Sequence, residues 1–174
     1  MAITLVVETG AGLSNANSYL SVADADTYHE EHSGSTDWSG AGTADKERAL
    51  ITATQYLDIK YSGRWKGVKG SSTQALAWPR TGVYDAEGYS VASDLVPPQI
   101  EDACAELALK ILEGDILLDD IDEPGDIASE SVKVGPIEDS TTYLGSKSQV
   151  KKYPLVEGLI KPLLDANDTL MSRG

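Results

Sequence analysis

The residues whose types and spacing could do chemistry are few. His29-Glu30-Glu31-His32 sets two imidazoles three positions apart, on one face of a helix, with carboxylates between them. Such a set suits a metal ion. The spacing departs from the His-Glu-x-x-His arrangement of zinc proteases, however, and the sequence supplies no obvious third ligand. A solvated acidic helix end is the better reading. Cys104 is the single cysteine; as a nucleophile it would need a basic or histidine partner. It falls instead on an apolar stripe, where a small core side chain is expected. One cysteine also excludes an intramolecular disulfide or a multi-cysteine zinc site and fits a reducing compartment. No Gly-x-Ser-x-Gly elbow occurs, and both histidines lie in one short polar segment, so a hydrolase triad has little to be built from. The glycines from Gly63 to Gly70 meet neither phosphate-loop pattern. Asp119-Asp120 and Asp122-Glu123 lack the calcium-loop spacing. Hydrolase chemistry is thus unsupported, and a nucleotide enzyme is a weak reading.

Charge narrows the partners. The chain has 174 residues, with 28 acidic against 14 basic side chains and a formal charge of −14, and a pI near 4.4. Binding to phosphates driven by charge alone is therefore disfavoured, because counterion release needs a net of Lys and Arg. With 41% hydrophobic residues the chain can bury a core, and its length suits one domain or a domain with extended arms. The opening apolar run, Ile3 to Val7, is too short for a signal-peptide core, and no stretch approaches the roughly 20 apolar residues of a membrane span. Neither a targeting segment nor a membrane partner is expected.

The elements that must position these residues follow from local chemistry. Ile3 to Val7 is rich in β-branched side chains and ends at Gly10-Ala11-Gly12, which predicts a short strand or extended arm. Ser21 is a candidate N-cap with Asp24 three residues on, and a short acidic helix is predicted over Val22 to His32. Ser33 to Gly42 reads as loop. Thr43 can cap a second helix from Ala44 to about Tyr61, with Leu50, Ala53, Leu57 and Tyr61 as its buried stripe beside Ala49 and Tyr56. A third helix follows Pro97-Pro98, since proline suits the first helical position. Ile100, Ala103, Cys104, Leu107, Ala108 and Ile111 recur on it at helical spacing, making it the central core helix, and Gly114 can close it in a left-handed conformation.

From Glu113 to Asp126 there are seven acidic residues and no basic one, most simply a solvated loop. Ser131 to Val134 and Ile137-Glu138 flank Gly135-Pro136 and predict a small hairpin or bent strand. Beyond Tyr153-Pro154, the stripe Leu155, Val156, Leu159, Ile160, Leu163, Leu164 is interrupted by Gly158 and Pro162, which predicts two short helical turns.

One compositional shift stands out. From Ile59 to Tyr84 there is no acidic residue, while Lys60, Arg64, Lys66, Lys69 and Arg80 supply five of the fourteen positive charges, and Trp65 and Trp78 two of the three tryptophans. Rings beside cations are what single strands stack on. A basic loop in an acidic protein serves equally to meet an acidic surface on a neighbouring subunit of a head-to-tail ring. The overall field of the chain favours the interface. Trp78, between Ala77 and Pro79, also reads as a core plug.

Asn17-Ser18-Tyr19-Leu20-Ser21-Val22-Ala23-Asp24-Ala25-Asp26-Thr27-Tyr28, Gln74-Ala75-Leu76-Ala77-Trp78-Pro79-Arg80-Thr81-Gly82-Val83 and Val96-Pro97-Pro98-Gln99-Ile100 together resemble a family of tailed-phage proteins. Lys133-Val134-Gly135-Pro136-Ile137 and Tyr153-Pro154 with Leu163-Leu164 add to the likeness. The family carries a DnaT-like single-stranded DNA-binding label, while its members look like head-to-tail connectors, or adaptors. The resemblance implies a structural virion protein, without catalysis or cofactor, that forms a ring, dodecameric, under the portal. Its partners would be the portal ring, the tail or nozzle proteins and other copies of itself, with packaged DNA passing without specific binding. It would be made in the host cytoplasm and end at the head-tail junction. The alternative is a single-stranded DNA-binding protein of replication.

The fold expected is mainly α: a small helical bundle with a short N-terminal strand or arm, a small β-hairpin and a C-terminal helical arm. Residues 1–152 would form the adaptor domain and 153–174 the arm. Arg64, Trp65, Lys66, Lys69 and Arg80 are the candidate intersubunit or DNA-facing residues. Tyr153, Leu155, Leu159, Leu163 and Leu164 are the candidate portal-binding residues, with a fourth core helix as the equal alternative for that stretch.

Overall fold

The computed structural model describes residues 4–32, 34–115, 117, 129–134, 137–142 and 152–165. They form two compact units, one of Met1–Leu118 with Pro154–Gly174 and one of Asp119–Tyr153. The first is mainly helical. In it α1 spans Val22–His32, α2 Thr36–Gly40, α3 Thr43–Lys60, α4 Pro98–Leu112 and α5 Pro154–Ile160, with two short strands, β1 (Val68–Lys69) and β2 (Arg80–Thr81), between α3 and α4. The second unit carries an antiparallel hairpin of β3 (Ser129–Val134) and β4 (Ile137–Thr142), with Val134 opposite Ile137. Most of the acidic run from Glu113 to Asp126 lies outside the described residues.

Local chemistry sets the helix limits. Ser21 Oγ accepts the Asp24 N–H at 3.1 Å and donates to the Asp24 carboxylate, so one side chain fills an open donor of the first turn and orients the acid beside it. Pro98 occupies the first turn of α4 behind Pro97, where no backbone N–H is needed. Gly114, at φ +98°, ends that helix in the left-handed region. Thr43 is helical rather than a cap: the N-cap of α3 is Gly42, with no side-chain bond, and the Asp45 and Lys46 N–H groups donate to the Gly42 carbonyl. The N-terminal segment is an extended arm. Val7 makes a single parallel bridge to Ser18, and the Glu8 N–H donates to the Ser18 carbonyl at 2.9 Å.

The core is the contact of α3 with α4. Leu50, Ala53 and Leu57 meet the predicted stripe of α4, and Ala103, Cys104, Leu107 and Ala108 are all fully buried. The Thr54 hydroxyl lies 3.4 Å from Cys104 Sγ, which in turn reaches the Leu50 carbonyl at 3.7 Å. Burial in this apolar contact pushes the thiol up to about 12, so Cys104 is an inert core side chain. α1 joins through Tyr28, whose hydroxyl donates to Glu106 at 2.9 Å.

Two features depart from the sequence expectation. Ser33–Gly42 is not all loop, because α2 forms within it. The reason is Trp38, only 2% exposed, whose indole donates to Asp26 at 2.7 Å and whose ring lies 4.5 Å from that of His29. A buried carboxylate, Glu8, also holds the Gly10-Ala11-Gly12 turn, accepting backbone N–H bonds from Gly10, Gly12 and Leu13 at 2.7–2.9 Å.

Candidate functional site

The basic island folds back into the protein that carries it. After α3 the chain turns at Gly63, φ +74°. Trp65 then pairs with Leu164 in an antiparallel bridge, with Lys66 N–H donating to the Leu163 carbonyl at 3.0 Å and Asp165 N–H to the Arg64 carbonyl at 2.8 Å. Lys66 Nζ donates to the carbonyls of Pro162 at 2.7 Å and Tyr84 at 3.1 Å. The Arg80 guanidinium donates to Lys66 O and Gly67 O, both at 2.7 Å, to Ala77 O at 3.2 Å and to Trp65 O at 3.5 Å. Arg64 lies over the Tyr61 ring at 5.6 Å. Lys60 donates to the Tyr56 hydroxyl at 2.8 Å and pairs with Glu157 at 3.4 Å. Lys69 is the exposed member, with a long 3.5 Å contact to the Gln74 carbonyl.

Trp65 and Trp78 are buried and meet edge to face, their ring centroids 5.8 Å apart. The cations expected to face DNA or a neighbour therefore mostly satisfy loop carbonyls, and the rings expected to stack on bases are core. Trp65 thus offers no exposed ring, while Lys66 and Arg80 stay partly exposed. Their physical role is to close a loop that has almost no regular hydrogen bonding of its own.

Two of the sequence motifs that carry the family resemblance touch each other. Tyr19 OH donates to Asp58 on α3 and accepts the Ala77 and Trp78 N–H groups at 3.1 and 3.2 Å. Asp58 Oδ2 accepts Ala77 N–H at 2.8 Å. Burial holds both groups above their usual ranges, the Tyr19 phenol strongly so. Gln74 completes the knot, its amide donating to Leu76 O and Pro79 O at 3.0 Å and its oxygen accepting Ser71 N–H at 2.9 Å. The Gln74 to Arg80 run is thus a packing signature.

The C-terminal candidates divide. Leu163 is fully buried, Tyr153 is buried, Leu159 and Leu164 are partly so, and Leu155 is exposed. α5 and the single 3₁₀ turn after it, Lys161–Leu163, are the two short turns expected. Val156 and Ile160 are buried as α5 packs on α4, the packing expected of a core helix.

His29 and His32 do not converge. His29 is buried against Trp38, while His32 is exposed and stacks on Tyr28 at 4.3 Å. Among the described residues no three acidic, histidine or cysteine side chains are placed to hold a metal. What sequence reasoning missed is an aromatic edge. Tyr84 and Tyr89, joined across a turn by the Tyr84–Ser90 bridge, are 56% and 73% exposed. Asp85 Oδ1 holds that turn by accepting the Glu87 and Tyr89 N–H groups. The only available signal was their position at the border of the island.

Residues 3–174 match the family described as "Putative DnaT-like ssDNA binding protein". The chain belongs to that family. No curated protein matches it, and no solved structure does. Membership spans both compact units and includes the Tyr19 and Gln74–Arg80 motifs whose packing is described above.

Proposed function

We propose that the protein is a structural adaptor of a tailed-phage virion: a ring-forming component that sits beneath the portal, extends the DNA channel and docks the tail, acting by assembly and without catalysis. The observation that supports this reading is the inward use of the island, where Arg80 and Lys66 bond to loop carbonyls and both tryptophans are buried. In a chain of net charge −14 this turns inward island cations and rings that single-strand binding would use outward. An acidic wall repels phosphates and lets packaged DNA slide. Exposed apolar side chains such as Ile59, Val68 and Leu155 supply contact area for protein neighbours.

The family description favours a second reading, a single-stranded DNA-binding protein. On this fold it would rest on Tyr84 and Tyr89 as stacking rings, with the exposed Lys69 of β1. One experiment separates the two: light scattering after size exclusion of the full chain mixed with its cognate portal ring, and in parallel with an oligothymidylate at physiological salt. Co-migration with portal and no retention of DNA is expected. DNA binding that is lost in a Lys69→Ala, Tyr84→Ala, Tyr89→Ala variant, with no portal association, would replace the adaptor by the strand binder.

A further inference from the structure

The charges of the helical unit are divided along α3. From Ile59 to Tyr84 there are five cations and no acid, and Asp85 and Glu87 in the turn that follows leave that part positive. α1 and α4 together carry seven carboxylates against the single Lys110. α1 runs back along α3: Tyr19, just before it, bonds to Thr54 and Asp58, whereas Asp26 bonds to Lys46. The acids of α1 therefore lie beside the first half of α3, and the island begins where that helix ends, at Lys60. From Lys46 to Lys60 the helix rises about 21 Å.

The positive part also carries the exposed aromatic edge. Val68 on β1 pairs with Thr81 on β2, the Val91 N–H donates to the Val83 carbonyl at 3.0 Å, and Tyr84 bridges Ser90. One ribbon thus bears Val68, Tyr84 and Tyr89, which are 65%, 56% and 73% exposed, and the exposed Lys69. Tyrosines in such a setting are the usual anchors of protein contacts. Single-stranded DNA suits the ribbon less, because Lys66 and Arg80 already donate to carbonyls and the net charge of the chain opposes phosphate.

The acidic part has the opposite need. Tyr28 donates to Glu106 across the contact of α1 with α4, and Asp24, Glu101 and Asp102 act on one another along the same seam. Among the described residues neither Glu101 nor Asp102 forms an ion pair. Burial, and after it the charges of Asp24 and Asp102, holds the Glu101 carboxyl above its ordinary range, so a cation brought to the seam relieves a repulsion already present. Like parts of two copies repel and unlike parts attract, which favours a heterologous contact over an isologous one. We propose that the Val68, Tyr84 and Tyr89 ribbon docks on the α1–α4 seam of a second copy of this chain, with Lys69 meeting the Glu101 and Asp102 carboxylates. This supplies the contact surfaces of the ring-forming reading and rests on it.

The test is sedimentation velocity of the full chain alone, over a concentration series at low and high salt. Association that grows with concentration and weakens with salt is expected. A ribbon variant, Lys69→Glu with Tyr89→Ala, and a seam variant, Asp102→Lys, should each self-associate at least about tenfold more weakly. Each keeps one intact surface, so their equal mixture should regain one contact and stop at two chains. Both should melt with the wild type; if Asp102→Lys does not, the isosteric Asp102→Asn takes its place. A single chain at every concentration, weakening in only one of the two variants, or a mixture that forms no pair would each overturn the contact. Retention of an oligothymidylate by the wild type and not by the ribbon variant, without self-association, would give the ribbon to DNA. Portal co-migration is read separately: a chain that binds portal and fails here loses this contact and keeps the adaptor reading, while self-association without portal binding does the reverse.

Discussion

Replacing Tyr19 by Phe removes one oxygen from the knot that joins the N-terminal segment, α3 and the Gln74–Arg80 loop. The ring is 1% exposed and keeps its packing, so the loss is confined to hydrogen bonds. The Asp58 carboxylate loses its phenolic donor, a bond to an acidic group worth about 1.5–3 kcal/mol, and the Trp78 N–H loses an acceptor inside the core, at about 1–3 kcal/mol. The Ala77 N–H retains Asp58 at 2.8 Å and adds nothing to the loss. Relaxation of the loop recovers some of the sum, which leaves about 3 kcal/mol, a large fraction of an ordinary domain's stability. Urea unfolding should show a lower midpoint at unchanged slope. Tyr19→Phe combined with Asp58→Ala should cost less than the two singles together by about 1 kcal/mol or more, because both changes break the same bond. A loss below about 0.5 kcal/mol, or strict additivity, would refute the account of the motif as a structural knot.

Three further outcomes follow from the geometry. Leu163→Ala, at a site 1% exposed, should cost about 2–5 kcal/mol, while Leu155→Ala, exposed on α5, should stay within about 0.5 kcal/mol; equal, small losses in thermal unfolding would mean that the segment is a free arm after all. Gly67 has φ +66°, and a Cβ there would meet the Thr81 carbonyl oxygen at 2.2 Å, so Gly67→Ala should destabilise by about 2 kcal/mol or more. Gly63→Ala, with φ +74° but open space, should show only the backbone strain of about 1 kcal/mol, and equal losses would dismiss the clash.

The pH response of His29 has a definite sign. Burial lowers its pKa from 6.5 in the folded state, so the unfolded chain binds the proton more readily. Its stabilising contribution is complete above pH 6.5 and is lost as pH falls through the lower folded value. Unfolding measured at pH 7.5 and pH 5 should therefore show a steeper acid loss for the native chain than for His29→Phe, and matching slopes would contradict the burial.

Local sequence determined α1, α3 and α4 and most of their ends. Ser21 with Asp24, Pro97-Pro98 and Gly114 act through the backbone within a turn of themselves, and the apolar periods of α3 and α4 need only a helix to become a face. For the same reason the hairpin strands on either side of Gly135-Pro136 and the change of helix type near Pro162 were legible, whereas Gly158 lies inside an unbroken α5. The fate of the basic island was not legible. Whether Lys66 and Arg80 face solvent or bond to carbonyls depends on where Pro162, Gly67 and Ala77 come to rest, and nothing in the local sequence reports that. The same holds for Trp38, which orders α2 because Asp26 from α1 and Lys46 from α3 converge on it, and for Leu163, buried because α5 docks on α4. Charge and periodicity describe what a segment can offer; only tertiary contact decides which atoms take the offer, because a buried polar group must be satisfied by whatever partner the fold brings within 3 Å.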